Sequence, residues 1–496
     1  MSEARSALVQ IYFSDFFEVS QDALKAYAAF NISLVNDLPL FIDPFLLFNS
    51  QKPEYRHLHD EMIRYLRFLR DKAAAGILDE SLIGAWCMFP EVRQTWLGFS
   101  KSGNQGSGLG WDFALALSRN LNTVFNNFGQ ETITKGSHLE KLTLIQGGVG
   151  RDNISDFVTT LIKRYLLQYT ETFARTHLRS DQRASRSVPR ASFNYETETW
   201  QSETFELPIR DNDYVILTPK DMLTKDETWI NRPELVRDFE DIAESLPNAA
   251  LRALVNNYFQ QRLPRDATAR ERVTAKIQTL QAYPEVIERY IRKKEDDGDS
   301  AQPVSSLKVR QAEQLFINEV RGLVATLLST TSFYSIPGNT YEEAVERVKF
   351  LKDVIENKDG YRIFWRDGQP IQKEEDLQIL YRLTWYGTPS DVNREVNNGR
   401  GPADFAVSRG AADKSLVECK LASNTKLKQN LQHQSAIYER ASDAARSLKV
   451  ILYFTAEELD KVRAILKELG MENDSAIILI DARRDNKPSA SVATTS

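Results

Sequence analysis

The sequence predicts a C-terminal α/β core of order αβββαβ behind a large, mainly helical N-terminal region that contains a small strand-rich piece. Three observations carry this reading. Short apolar or alternating runs separated by turn signals cluster toward the C-terminal end, from Val392 to Ile480. Helical periodicity dominates residues 1 to about 180. Upstream, extended patterns occur at Ser192 to Trp200 and Tyr214 to Leu217. At 496 residues the chain is too long for one ordinary core, so several units are expected.

The first unit, 1–190, is expected to be helical, with amphipathic segments at Asp60 to Ala75 and Asp152 to Leu178. The second segment reads as one helix burying Phe157, Leu161, Leu166, Tyr169 and Phe173. A polar stretch, Arg179 to Arg190, separates it from a mixed α/β middle region, 191–300, that turns helical over 233–295. Lys293 to Ser306 combines charge, Gly298, Pro303 and serines, the composition of a linker. A helical connector, 301–358, follows, with helices over Leu307 to Leu328 and Tyr341 to Asn357.

The α/β core is expected over 359–482, with 483–496 a flexible tail. It opens with a helix from Gln372 to Tyr386 that turns Leu377, Leu380, Tyr381 and Thr384 inward. Glu374 lies three and seven residues before Leu377 and Tyr381 and so projects near that stripe, with Glu375 toward its edge. A strand near Val392 to Val396 leads through the turn signals Asn397 to Pro402 into a strand carrying Asp404. The short connection Arg409 to Lys414 lets that strand pair as a hairpin with Ser415 to Leu421. Because side chains alternate along a strand, Glu418 and Lys420 share one face and the Cys419 side chain takes the other. A helix from Asn424 to about Arg446, with Ser423 or Asn424 as its N-cap, presents Leu427, Leu431, Tyr438, Ala441 and Ala445, and Gln434 interrupts that stripe. The strand Leu448 to Phe454, a helix opened by Thr455 and Glu458 and closed by Gly470, and the strand Ala476 to Ile480 complete the order.

An Asp on one strand, Glu-x-Lys on the next and Gln-x-x-x-Tyr on the following helix resemble the PD-(D/E)xK nuclease superfamily, in its RecB-like branch. The resemblance covers roughly 359–482, about a quarter of the chain. It implies a restriction-endonuclease-like fold and a Mg²⁺-dependent phosphodiester hydrolase acting on nucleic acid, DNA foremost, with Mn²⁺ able to substitute. In that scheme Asp404 and Glu418 hold the metal with help from the Cys419 backbone carbonyl, and Lys420 assists the nucleophile. Glu374 completes the acidic cluster, while Gln434 and Tyr438 position substrate. The chemistry is coherent: carboxylates bind a hard cation, and an ammonium beside them stabilises developing charge. The resemblance also implies restriction or antiviral defence, a role compatible with a partner protein or an oligomer.

Two other readings compete. Short D…ExK patterns arise by chance in solvated ion-pair arrangements, although Leu416, Val417 and Leu421 flank this one. A nuclease-like fold can also grip nucleic acid or a protein without cutting. Net charge −6 argues against a nonspecific nucleic-acid coat. Between Arg394 and Lys449, however, ten Lys and Arg stand against six acids, a modest basic footprint for phosphates.

Two cysteines form no disulfide framework, the N-terminus resembles no signal peptide, and the longest apolar stretch, Leu38 to Phe48, is too short to span a bilayer. The expectation is a cytoplasmic protein without membrane contact. No GxxxxGK[ST] occurs, which excludes a P-loop motor in this chain. The glycine-rich run Gly103 to Gly110 reads as a turn, and His57-Leu58-His59-Asp60 as a helix start rather than a metal site, since the other histidines form no cluster in sequence.

Overall fold

The computed structural model describes residues 11–35, 37–98, 110–125, 127–145, 151–210, 213–330, 338–366, 368–385, 390–393, 405–409, 413–432 and 446–487. It is a mixed α/β fold, rich in helices, with four separate sheets among the described residues. No helix among them is long and apolar enough to cross a membrane.

Strand β1 (Leu40–Ile42) precedes the long helix α1 (Pro53–Ala74). Proline at the first helical position costs no hydrogen bond, and one face buries Tyr55, His59, Met62, Tyr65, Leu66 and Leu69. His57 to Asp60 therefore lie inside this helix, one turn past its start. The expected single helix over 152–178 is two, Arg151–Leu161 and α2 (Lys163–His177), because the backbone breaks at the buried Ile162 (φ −98°, ψ 11°). The polar stretch after it is largely strand: β2 (Arg183–Asn194) and β3 (Thr199–Arg210) form a long hairpin with an irregularity between Val188 and Ser192. The short strand β4 (Leu223–Lys225) then returns to pair antiparallel with β1.

The expected linker is packed structure. Helix α3 (Pro284–Asp296) passes through a single turn, Gly298–Ser300, directly into α4 (Ala301–Glu313). Asn49 donates to the Gly298 carbonyl at 2.8 Å, and a Cβ on Gly298 would meet the Asn49 side chain. The buried Glu295 accepts from the backbone amides of Lys135 and Gly136. A wider stretch of π-helix, Gln314–Glu319, joins α4 to α5 (Val320–Thr330) within the span where one long helix is expected.

Helix α6 (Thr340–Asn357) and helix α7 (Glu374–Thr384) cover one face of a five-stranded sheet. Its strands are β5 (Asp391–Asn393), β6 (Phe405–Arg409), β7 (Asp413–Leu421), β8 (Arg446–Tyr453) and β9 (Ile477–Asp481), in the spatial order β9-β8-β7-β6-β5. The β6–β7 and β5–β6 pairs are antiparallel, whereas β7–β8 and β8–β9 are parallel and need crossovers. Helix α8 (Ala456–Glu468) makes the second crossover. Thr455 caps it by accepting from the Glu458 amide, and Glu458 reaches back to the Phe454 amide.

One apolar cluster unites Phe13, Leu66 and Phe157 of the N-terminal part with Phe316, Leu380 and Leu452, so the sheet and the first 220 residues share a core. A second joins Phe45, Leu46 and Leu144 to the helices of 230–301. A smaller one packs Leu427, Leu431, Val462 and Leu466 on the other face of the sheet, against Ile451 and Tyr453.

Candidate functional site

Strand β7 is central in its sheet and covered on both faces, which is why Leu416, Val417, Cys419 and Leu421 all read as apolar. Within that run Glu418 and Lys420 are the charged exceptions. They are 3% and 8% exposed, and alternation puts them on one face. The Cys419 side chain takes the opposite face, lining an apolar cavity of about 30 Å³ with Val348, Leu380, Tyr381 and Val450. Burial pushes the Tyr381 hydroxyl well above its ordinary range there.

Glu374 is the first residue of α7, and the structure brings it to Lys420. The lysine Nζ donates to Glu374 Oε2 at 3.5 Å, and the Asn424 amide donates to Oε1 at 2.6 Å. Asn424 is anchored in turn. Its own side chain accepts from the Lys426 amide, in the capping role expected of it, and Lys461 of α8 donates to the carbonyls of Ala422 and Asn424. Residues 427–432 are helical, with Leu427 and Leu431 buried as the stripe requires.

The hairpin register is explicit: Phe405 pairs with Val417 and Val407 with Ser415. Asp404 itself lies outside the described residues, as do Gln434 and Tyr438. On the other side of β7, Lys449 of β8 stands in register with Glu418 and is 4% exposed. Sequence reasoning missed two of these neighbours. Lys449 was one of many basic residues, and Asn424 a cap only; strand register and loop closure make them neighbours of the acids.

The frame around the site is itself polar and buried. The Thr340 hydroxyl at the head of α6 donates to Asp413 and bonds Ser415, both at 2.7 Å. One turn on, Glu343 pairs with Arg347 at 2.8 Å and with Arg409 of β6 at 2.5 Å, and Ser390 donates to it. Burial alone would push the Glu343 carboxyl up. Ser390, Arg347 and Arg409 outweigh it and hold the carboxyl below its usual range.

The residues that the resemblance assigns to a metal, Asp404, Glu418, Glu374 and the Cys419 carbonyl, would offer oxygen donors alone. Such a set fits a hard divalent cation such as Mg²⁺ or Mn²⁺. Among the described residues no group of three or more His, Cys, Asp or Glu side chains is placed to hold a metal ion.

A second polar cluster lies far along the chain. The rings of His59 and His138 approach to 6.2 Å, and His138 Nε2 bonds Glu295 at 2.9 Å. Histidines that form no cluster in sequence thus meet in the fold. Burial holds His59 down to about 3 and pushes Glu140 up to about 8, with Asp43 nearby adding to the latter.

Two family models match the chain, each a domain of unknown function: DUF8370 over residues 18–231 and DUF8371 over residues 340–456. No curated protein and no solved structure matches it. The second matched segment contains Glu374, Glu418, Lys420 and Asn424, and the first ends just beyond β4.

Proposed function

We propose that the chain is a Mg²⁺-dependent nuclease that hydrolyses phosphodiester bonds, with DNA as its substrate class, in the manner of the PD-(D/E)xK superfamily. The observation that carries this reading is the meeting of Glu374 with Lys420, beside Glu418 on the same face of β7. Residues 46 positions apart contribute an acid and an amine to one place, as the resemblance requires. The β6–β7 hairpin supports it too, since Phe405, which follows Asp404, pairs with Val417, which precedes Glu418. The proposal requires that register to continue by one residue.

In this reading Asp404, Glu418 and the Cys419 carbonyl hold the metal, with Glu374 completing the acidic set. The bound cation supplies Lewis-acid stabilisation of the phosphate and a more acidic water. Lys420 lies where its ammonium can orient the attacking water or neutralise charge on the phosphoryl oxygens. Glu374 and Asn424 fix the lysine's direction, Lys449 adds positive charge beside Glu418, and Gln434 and Tyr438 are assigned to the bound strand. A role in defence against foreign DNA rests on the resemblance alone.

The test is direct. Purified full-length protein is incubated with single-stranded, duplex and circular DNA and with RNA, in Mg²⁺, Mn²⁺ or chelator. Metal-dependent products that vanish in Lys420→Ala support the reading. Nucleic acid that is bound yet left intact in every metal overturns it in favour of a non-cleaving binder.

A further inference from the structure

Glu374 sits between two residues that both reach into the N-terminal part of the chain. Lys373, just before it, pairs with Asp226 at 2.6 Å, and Asp376, just after it, pairs with Lys225 at 3.2 Å. The polarity is crossed: α7 supplies the cation of one pair and the anion of the other. Sliding α7 along the turn cannot preserve both contacts.

The turn that makes these contacts is well built. Lys225 ends β4, whose three residues pair with Leu40, Phe41 and Ile42 of β1. Asp226 adopts a left-handed backbone (φ 72°), which directs the chain sharply away from the strand. Beyond it Lys308 of α4 donates to the Glu227 carbonyl at 3.3 Å. The inner pair is nearly closed to solvent, its side chains 13% and 10% exposed, whereas the outer pair is about 40% exposed. By the usual scaling of ion pairs with burial, losing one partner of the inner pair is the more damaging event.

We infer that the N-terminal module positions Glu374 through this double clamp and thereby sets how tightly the site takes its metal. Lys225 and Asp226 are positioning residues that act through their ion pairs with Asp376 and Lys373 at the head of α7. The inference rests on the nuclease reading of the site. The clamp also crosses the boundary between the two matched segments, 18–231 and 340–456. Any event that shifts the β4 turn is therefore transmitted to the head of α7, 147 to 151 residues away in sequence and one ion pair away in space.

The experiment uses full-length Lys225→Glu, Asp376→Lys and the charge-swapped double variant, each with and without Glu374→Gln. Two quantities are read: amide hydrogen exchange over residues 374–384, and the Mn²⁺ concentration giving half-maximal DNA cleavage. Each single variant should speed exchange and raise that concentration by about fivefold or more, the lower end for coupled sites. The double variant should restore both, and in the Glu374→Gln background Lys225→Glu should still speed exchange but leave the Mn²⁺ requirement unchanged. An unchanged Mn²⁺ requirement, or a full additive effect in that background, overturns the inference. If the wild type cleaves nothing, the nuclease reading fails, and exchange alone then judges the clamp: acceleration in the singles with recovery in the double sustains it, no change sinks it. Should Lys225→Glu fail to fold, Lys373→Gln at the exposed outer pair gives the same readouts with smaller shifts.

Discussion

A lysine only 8% exposed is costly unless a counter-charge faces it, and Glu374 faces Lys420. That pairing separates Lys420 from an ordinary surface cation. In the proposed enzyme Lys420→Ala should lower single-turnover cleavage by roughly a hundredfold or more, the scale for losing one charge-stabilising donor. Retained cleavage would remove Lys420 from the chemistry. Cys419 gives the opposite expectation, because its side chain faces the apolar cavity and any role in the site is its carbonyl's. Cys419→Ala should cost about 1 kcal/mol of stability through lost packing, while cleavage stays within about threefold of wild type. A loss of activity as large as that of Lys420→Ala would show that the face assignment is wrong. At this scale the sequence was legible wherever the signal is local: strand alternation sorted Glu418 and Lys420 from Cys419, and helical spacing set Glu374 beside the buried stripe of its helix. Asn424 and Lys449 were illegible in these roles, because contact with Glu374 or Glu418 is a product of loop closure and strand register.

At the scale of elements, α6 is tied to β7 by Thr340, whose hydroxyl serves both Asp413 and Ser415 in a buried setting. Thr340→Val keeps the shape and removes the donor. It should destabilise the chain by about 1 kcal/mol, the net worth of the lost hydroxyl bonds, since the Thr340 backbone amide still serves Asp413, as read by urea denaturation. A midpoint equal to wild type would mean that the bond contributes nothing. The elements of the α/β core were the most legible part of the chain, because β6 to β9 are short, largely apolar runs and α8 carries its cap in Thr455 and Glu458. The β2–β3 hairpin was not. Of β2 only Val188 and Ala191 are buried, so Arg179 to Arg190 carries no alternation to detect. The stretch 293–306 misled for a related reason: Gly298 and Pro303 look like linker composition, yet the glycine is required by the approach of Asn49 and the proline falls in the first turn of α4, where it breaks no hydrogen bond.

For the whole molecule, the joint between α1 and the helices of the middle region buries Asp43, His59, His138, Glu140 and Glu295 together, and such a set links stability to pH. Glu140 has a folded pKa of about 8, above its ordinary 4.5, so between those values the folded chain holds a proton that the unfolded chain has lost. Stability from this group is complete below about 4.5 and is lost as pH rises toward about 8. His59 does not interfere above pH 6.5, since it is then mainly neutral both folded and unfolded. From pH 6.5 to 8.5 the wild-type Tm should therefore fall by roughly 2 °C or more beyond any fall in Glu140→Gln. Parallel curves would contradict this assignment. The shared core of the first 220 residues and the sheet was beyond sequence reasoning, which reads units one at a time and cannot see which faces meet. The central claim, that Asp404, Glu418 and Glu374 gather around one divalent cation beside Lys420, is tested most directly by a crystal structure of the full chain with Mn²⁺ and anomalous scattering. The account predicts one anomalous peak within about 2.1 Å of carboxylate oxygens from Asp404 and Glu418. A peak elsewhere, or none at saturating Mn²⁺, would contradict it.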